Sequence, residues 1–183
     1  MTQDIVKIAL TGKMRAGKDA VASRLLTDHG FELPIAFGTA LKRVAHEAFP
    51  WVESTPKPRE LYQFMNVLRE HDPDVWIKHL ERRYRYIAGQ RATRGIVITD
   101  VRQANELAWC KANGFTVVRV EAPMDVRIAR AHAAGDAFDY EALTHPTELE
   151  VEGFAVDAVI LNDGGLGELH AKVDALVAGL VEH

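Results

Sequence analysis

The residues best suited to chemistry lie between Gly12 and Asp19, in the run G-K-M-R-A-G-K-D. Gly12 and Gly17 let the backbone curl tightly and aim successive N–H groups inward, and a helix starting near Gly17 points its positive end at the same spot. Lys18 adds a full charge, so the chemistry on offer is the gripping of a polyphosphate tail. The general pattern G-x-x-x-x-G-K-[ST] ends in a hydroxyl that ligates Mg²⁺. Asp19 stands in that place here. A carboxylate is also a hard oxygen ligand, but it repels phosphate unless a cation lies between them, so Asp19 predicts an obligatory metal. Lys13, Arg15, Ala16 and Ala20 complete the set expected around the donor phosphates. The bland alternative is a tight turn with a solvated lysine.

Such a loop needs a strand before it and a helix after it. The apolar run from Ile5 to Leu10 supplies the first, and Ala20 to Leu26, at helical spacing, supplies the second. Gly30 then reads as a helix C-cap and Phe31 to Phe37 as a second strand. A helix follows from about Ala40 to His46, and the prolines at 56 and 58 enforce a loop. Leu61, Phe64, Met65 and Leu68 recur on one helical face, and Asp72 is expected to cap a helix carrying Trp76, Leu80 and Tyr84 inward. Ile96 to Thr99, Phe115 to Val120 and Ala158 to Leu161 read as buried strands, with helices at about 104–113, 124–134 and 166–180. Strands alternating with helices predict a parallel sheet, with ligands beyond the carboxyl ends of its strands, where Gly12, Gly38, Asp100, Glu121 and Asn162 fall.

Composition narrows the function classes. A chain of 183 residues, 48% hydrophobic, fits one α/β domain. No run suggests a signal peptide or a membrane span, and the single cysteine, Cys110, is expected as a small buried hydrophobe, so a cytoplasmic setting is expected. The net charge of −4 argues against a general nucleic-acid binder. Yet residues 57–102 hold ten Lys or Arg against six Asp or Glu, which suits a small polyanionic substrate held by arginines.

Within that basic stretch Arg59 and Gln63 share a helix face, with Arg69 somewhat off it, and both arginines read as acceptor-phosphate ligands, with Lys42 similar. Asp100, at a strand end, is a second metal candidate beside Asp19; the alternative is capping of the helix that follows it. Arg102 should reach the phosphates, pair with Glu106, or both. Arg127 and Arg130, three apart on one helix, precede the polar segment 135–152 and have the arrangement of a lid's arginines; the alternative is an exposed basic face. Trp76 is either an acceptor-base stacker, as Phe64 could be, or helix core.

Several separated stretches share one resemblance: G-K-M-R-A-G-K-D at 12–19, A-F-G-T-A-L-K at 36–42, R-E-L-Y-Q at 59–63 with Arg69, D-P-D-V-W at 72–76, T-D-V-R-Q-A-N-E at 99–106, H-P-T-E at 145–148 and D-A-V-I-L-N-D-G at 157–164. Together they resemble the P-loop kinases that include the bacteriophage-type deoxynucleoside monophosphate kinases, with similarity to animal-type phosphomevalonate and dephospho-coenzyme A kinases. The resemblance implies a three-layer P-loop NTPase fold with a five-stranded parallel sheet in the order 2-3-1-4-5. It implies one domain, 1–183, with core segments 1–37, 95–135 and 154–183, an acceptor-binding insertion at about 38–94 and a lid at about 124–152. ATP and Mg²⁺ are the implied cofactors, and nucleotides the implied partners of a monomer or homodimer. The implied reaction is transfer of the γ-phosphate of ATP to a (deoxy)nucleoside monophosphate. The alternatives are a phosphomevalonate- or dephospho-coenzyme A-type kinase, or a non-catalytic nucleotide-binding module. Catalysis falls to Lys18, Asp100, Arg102, Arg127 and Arg130, and Asn162 resembles the position beside the donor base. His145 and Glu148 are expected in a lid hydrogen bond or an acceptor contact, and Glu106 in the acceptor site.

Overall fold

The computed structural model describes residues 5–32, 34–90, 93–134 and 150–181. The elements run β1 (Val6–Thr11), α1 (Lys18–His29), α2 (Phe37–Ala48), α3 (Arg59–Met65), α4 (Leu68–His71), α5 (Val75–Ala88), β2 (Gly95–Val101), α6 (Ala104–Ala112), β3 (Thr116–Glu121), α7 (Met124–Ala133), a short 3₁₀ helix (Val151–Gly153), β4 (Ala158–Leu161) and α8 (Leu166–Val181). All strand pairings are parallel, in the order β2-β1-β3-β4.

This corrects the expectation of five strands in the order 2-3-1-4-5. Among its described residues, the segment expected as the second strand makes only two isolated parallel bridges to β2, Phe31 with Gly95 and Ile35 with Ile98. Pro34 has no N–H to give a ladder, and at Phe37 the chain already turns into α2. What remains is a partial edge, with Glu32 N donating to Gly95 O at 3.0 Å and Ile35 N to Val97 O at 3.0 Å.

Strand alternation creates two cores. Ile8 and Leu10 of β1, Val97 of β2 and Val118 and Val120 of β3 pack on α1 and α8 through Val21, Leu25, Leu169 and Val173. The intervening Ala9, Ile96, Ile98 and Val117 pack on α2, α5 and α6 through Leu41, Ala45, Trp76, Leu80 and Cys110. Successive strand residues point to opposite faces, so a strand apolar at every position is the signature of a sheet covered on both sides. Each such side chain contributes about 1.5–3 kcal/mol on burial.

Three local readings change. The second helix starts at Phe37 rather than Ala40, because the Asp100 carboxylate accepts from the N–H groups of Phe37 and Gly38 at 2.7 and 2.9 Å. The helical pattern after Arg59 breaks at Asn66–Val67 into α3 and α4, leaving Phe64 62% exposed while Met65 is buried. Asp72 does not cap α5 directly; its oxygens accept from Asp74 N at 3.2 Å and Lys78 Nζ at 2.6 Å, and α5 starts after Asp74. Cys110 is fully buried, and burial pushes its thiol up, consistent with an inert core residue.

Candidate active site

The turn after β1 is built from backbone that only particular residues accept. Gly12 has φ 130° and Gly17 φ 106°. A Cβ on Gly12 would collide with the Val120 carbonyl oxygen of the neighbouring strand, and one on Gly17 with the Asn162 amide. Arg15 takes the left-handed region as well, at φ 62°, a conformation that costs a side-chain-bearing residue about 1–2 kcal/mol. Gly17 is also the N-cap of α1 and brings no side chain to cap its first turn.

The loop's carbonyls are held by donors from α1, α7 and the end of β4. Lys18 Nζ donates to Gly12 O at 2.6 Å and Lys13 O at 2.8 Å. From α7, Arg127 Nη1 donates to Met14 O at 3.3 Å, and Arg130 Nη1 to Ala16 O at 3.4 Å. From the end of β4, Asn162 Nδ2 donates to Ala16 O at 2.8 Å, and its Oδ1 accepts from Arg130 Nη2 at 3.1 Å. Arg127 is only 4% exposed, and its Nε has no partner among the described residues. A buried guanidinium with an unmet N–H is costly unless an anion completes it.

The structure brings Lys18, Arg127, Arg130 and Asn162 together at the loop. The Asn162 amide braces it from beneath Gly17. Beside it, a hollow of about 270 Å³ is lined by Gly17, Ala20, Arg130, Asn162, Gly164, Leu166 and Leu169. A second, of about 300 Å³, runs along α1 past Asp19 to Pro34 and Thr99. The exposed Asp19 carboxylate lies in the first turn of α1. Asp100 sits at the end of β2, the strand paired with β1, and its carboxyl is raised above the usual carboxylate range by burial, against the pull of the Gly38 and Phe37 amides and the charges of Arg102 and Lys42. Asp100 thus caps α2, which lies before it in the chain, and not the helix after it, with the Gly38 backbone held against it.

Of the residues expected at the acceptor, Arg69 crosses from α4 to the start of α6. It donates to Gln103 Oε1 at 2.6 Å and to Glu106 Oε1 at 2.8 Å, while its Nε reaches Asn66 Oδ1 at 3.3 Å. Glu106, 2% exposed, also accepts the backbone N–H groups of Arg102 and Gln103 at 2.9 and 3.2 Å. Burial raises the Glu106 carboxyl above its usual range, opposed by the Arg102 N–H and then by Arg69. Its expected pairing with Arg102 is thus to that residue's backbone, and Glu106 is a buried anchor for Arg69 rather than an open acceptor contact. Trp76 is 1% exposed within the core, its ring stacked on His79, and lies out of reach as a base platform. Lys42, Arg59, Gln63 and Arg102 are exposed. His145 and Glu148 lie outside the described residues.

Two partners went unread in the sequence. Gln103 forms a capping box with Glu106, a pattern visible only once the start of α6 is known. Glu152, in the 3₁₀ helix, pairs with Lys13, and no local spacing announces it.

Comparison with known proteins places this geometry. A family model described as AAA domain matches residues 8–141. A protein of Acanthamoeba polyphaga mimivirus, provisionally named a deoxynucleotide monophosphate kinase, is 24% identical over 201 aligned residues, covering 94% of this chain and 96% of the viral one. Among solved structures, an unliganded sugar kinase from Janibacter sp. superposes with a TM-score of 0.61 at 14% identity, covering 96% of this chain and 95% of that one. Shikimate kinase from Acinetobacter baumannii, in complex with shikimate, gives 0.55 at 17% identity, covering 97% and 95%. What these structures share with the chain is the α/β P-loop kinase fold and its parallel sheet.

Proposed function

The chain belongs to the AAA domain family, and from that premise we propose that it is a kinase that moves the γ-phosphate of ATP to a (deoxy)nucleoside monophosphate. The observation that carries the donor half is Arg127, buried beside the loop with an N–H that no described residue accepts. The acceptor half draws on the name of the mimivirus relative and on Arg59 of α3 and Arg69 of α4.

In the proposed reaction an oxygen of the acceptor phosphate attacks the γ-phosphorus, the bond to the β-bridging oxygen breaks, and ADP leaves with that electron pair. The residues have little covalent work to do; they place two phosphates in line and neutralise the charge that moves between them. Lys18 and the loop amides hold the β- and γ-phosphates. Arg127 and Arg130 reach the loop from α7, so the charge they carry is already beside the donor before it arrives. Asp19 and Asp100 are the residues that would hold Mg²⁺, directly or through water; the exposed Asp19 carboxylate is open to such an ion, whereas each Asp100 oxygen already accepts an amide of α2 and has only its remaining lone pair to offer. An ion held there would offset the charge that develops on the phosphate oxygens.

Arg69 is suited to the acceptor even while paired. A guanidinium has five N–H donors, and the three bonds to Asn66, Gln103 and Glu106 use one each from Nε, Nη1 and Nη2. Two remain for a phosphate, in an orientation fixed by a buried carboxylate. Arg59, Gln63, Lys42 and Arg102 complete the proposed acceptor set. The test is incubation with ATP, Mg²⁺ and a panel of nucleoside and deoxynucleoside monophosphates, phosphomevalonate and dephospho-coenzyme A, following ADP release. Turnover restricted to one of the last two, or to none, overturns the nucleotide acceptor.

A further inference from the structure

Lys13 follows the first loop glycine. Its backbone carbonyl is taken up by Lys18 Nζ at 2.8 Å and Ala16 N at 3.2 Å, while its side chain leaves the loop and pairs with Glu152. The backbone that carries Glu152 is fixed from behind. Val151 and Phe154 are buried in the core shared with α2, α5 and α6. Arg119 Nη1 donates to the carbonyls of Glu152 and Phe154 at 3.4 and 3.1 Å, and Glu150 Oε1 accepts from Ala104 N, at the start of α6, at 3.3 Å. An anchored segment thus extends one carboxylate to the loop.

The pair is built to be exchanged. Its side chains are 25% and 58% exposed, and ion pairs so open to water contribute little. A triphosphate held by the same loop offers Lys13 several charged oxygens, each a stronger acceptor in that enclosed setting. We propose that Glu152 parks the Lys13 ammonium while the loop is empty and yields it to the donor polyphosphate, so that nucleotide binding unhitches the 150–154 segment from the loop. This rests on the donor reading above.

Two effects would follow from losing the Glu152 charge, release of Lys13 and a weaker negative field at the loop, and Lys13 itself separates them. Calorimetry of ATP binding with Mg²⁺ present, on the wild type, Glu152→Gln, Lys13→Met and the double variant, reads the difference. Glu152→Gln should bind ATP about two- to fivefold more tightly than the wild type, the range an exposed pair represents, and Glu152→Asp should stay near the wild type. In the Lys13→Met background the gain should vanish. Unchanged or weaker binding by Glu152→Gln overturns the exchange, as does an equal gain without Lys13, which would reduce it to a field effect. Thermal unfolding of each variant verifies that it is folded. A wild type that takes up no ATP overturns the donor reading and this proposal together; one that binds ATP while Glu152→Gln matches it overturns only the exchange.

Discussion

From Gly12 to Ala16 the backbone carbonyls are held by donors from α1, α7 and the end of β4, whereas α3 and α4 set Arg59 and Gln63 in solvent and tie down only Arg69. In the proposed reaction the two regions would bind anions with different material. In the loop the working groups are backbone, so their placement is a property of φ angles, glycines and strand contacts, and it comes with the fold. In the insertion the working groups are side chains on a surface, so each can change without the others. Variants of the loop should therefore strike turnover, and variants of α3 and α4 should strike the acceptor KM.

The largest expected effect is at Lys18. Lys18→Met removes the ammonium from the donor site and also releases the Gly12 and Lys13 carbonyls, and turnover should fall roughly 10³-fold, read as ADP release under saturating substrates. Activity within tenfold of the wild type would break the comparison, since the loop would then not be where the donor charge is met.

Arg69 straddles the two regions and should show both behaviours. Arg69→Ala leaves the Glu106 carboxylate buried without its cation, a loss of about 3 kcal/mol at neutral pH, measured by urea unfolding. Loss of the cation moves the Glu106 carboxyl, already above the ordinary value of 4.5, further up. Stability of the variant is then highest where Glu106 is protonated and is lost as pH rises through its folded pKa, so the gap to the wild type narrows on acidification. Adding Glu106→Gln should recover most of the stability but not the acceptor KM. A variant whose ATP KM rises as much as its acceptor KM would take Arg69 out of the acceptor site. Arg59→Ala, on an exposed face, should leave stability within about 0.5 kcal/mol and raise the acceptor KM about tenfold.

The same division explains what was legible beforehand. A strand apolar at every position and a glycine-bounded loop are local patterns, so β1, Lys18 and the two cores could be read from spacing. Arg127 and Arg130 could be paired by their helical interval, and both reach the loop. Pro34 and the early turn into α2 at Phe37 leave the expected second strand without a full ladder, a detail that the apolar run from Phe31 to Phe37 masks. Trp76 was open to two readings because helical spacing does not say whether an apolar face meets a core or a ligand. Asp100 capping α2 and Glu152 holding Lys13 span 62 and 139 positions of sequence, respectively, and no local pattern carries such pairings. Charged side chains that meet across such separations are placed by the fold, not by their neighbours in the chain.

The smallest effect is expected where the donor half is supported from outside the site. Asp174 of α8 accepts from Arg24 Nε and Nη2 at 2.9 and 2.8 Å and lies 2.8 Å from His29 Nε2, and both partners belong to α1, the helix that begins with Lys18 and Asp19. The Arg24 guanidinium, then His29, holds the Asp174 carboxyl well below the ordinary aspartate value of 3.8. A group whose folded pKa is depressed contributes stability above its unfolded pKa and loses it as pH falls through the folded one. Asp174→Asn should therefore melt slightly below the wild type at neutral pH, with the gap constant down to the ordinary carboxylate range and closing below it. The pair is open to solvent and should also weaken with salt. Because the loop's geometry is set by its own glycines and by α7, neither KM should move at neutral pH. A raised ATP KM in Asp174→Asn would mean that the loop depends on how α1 is seated against α8, and the backbone at Gly12 and Gly17 would no longer suffice to explain the donor site.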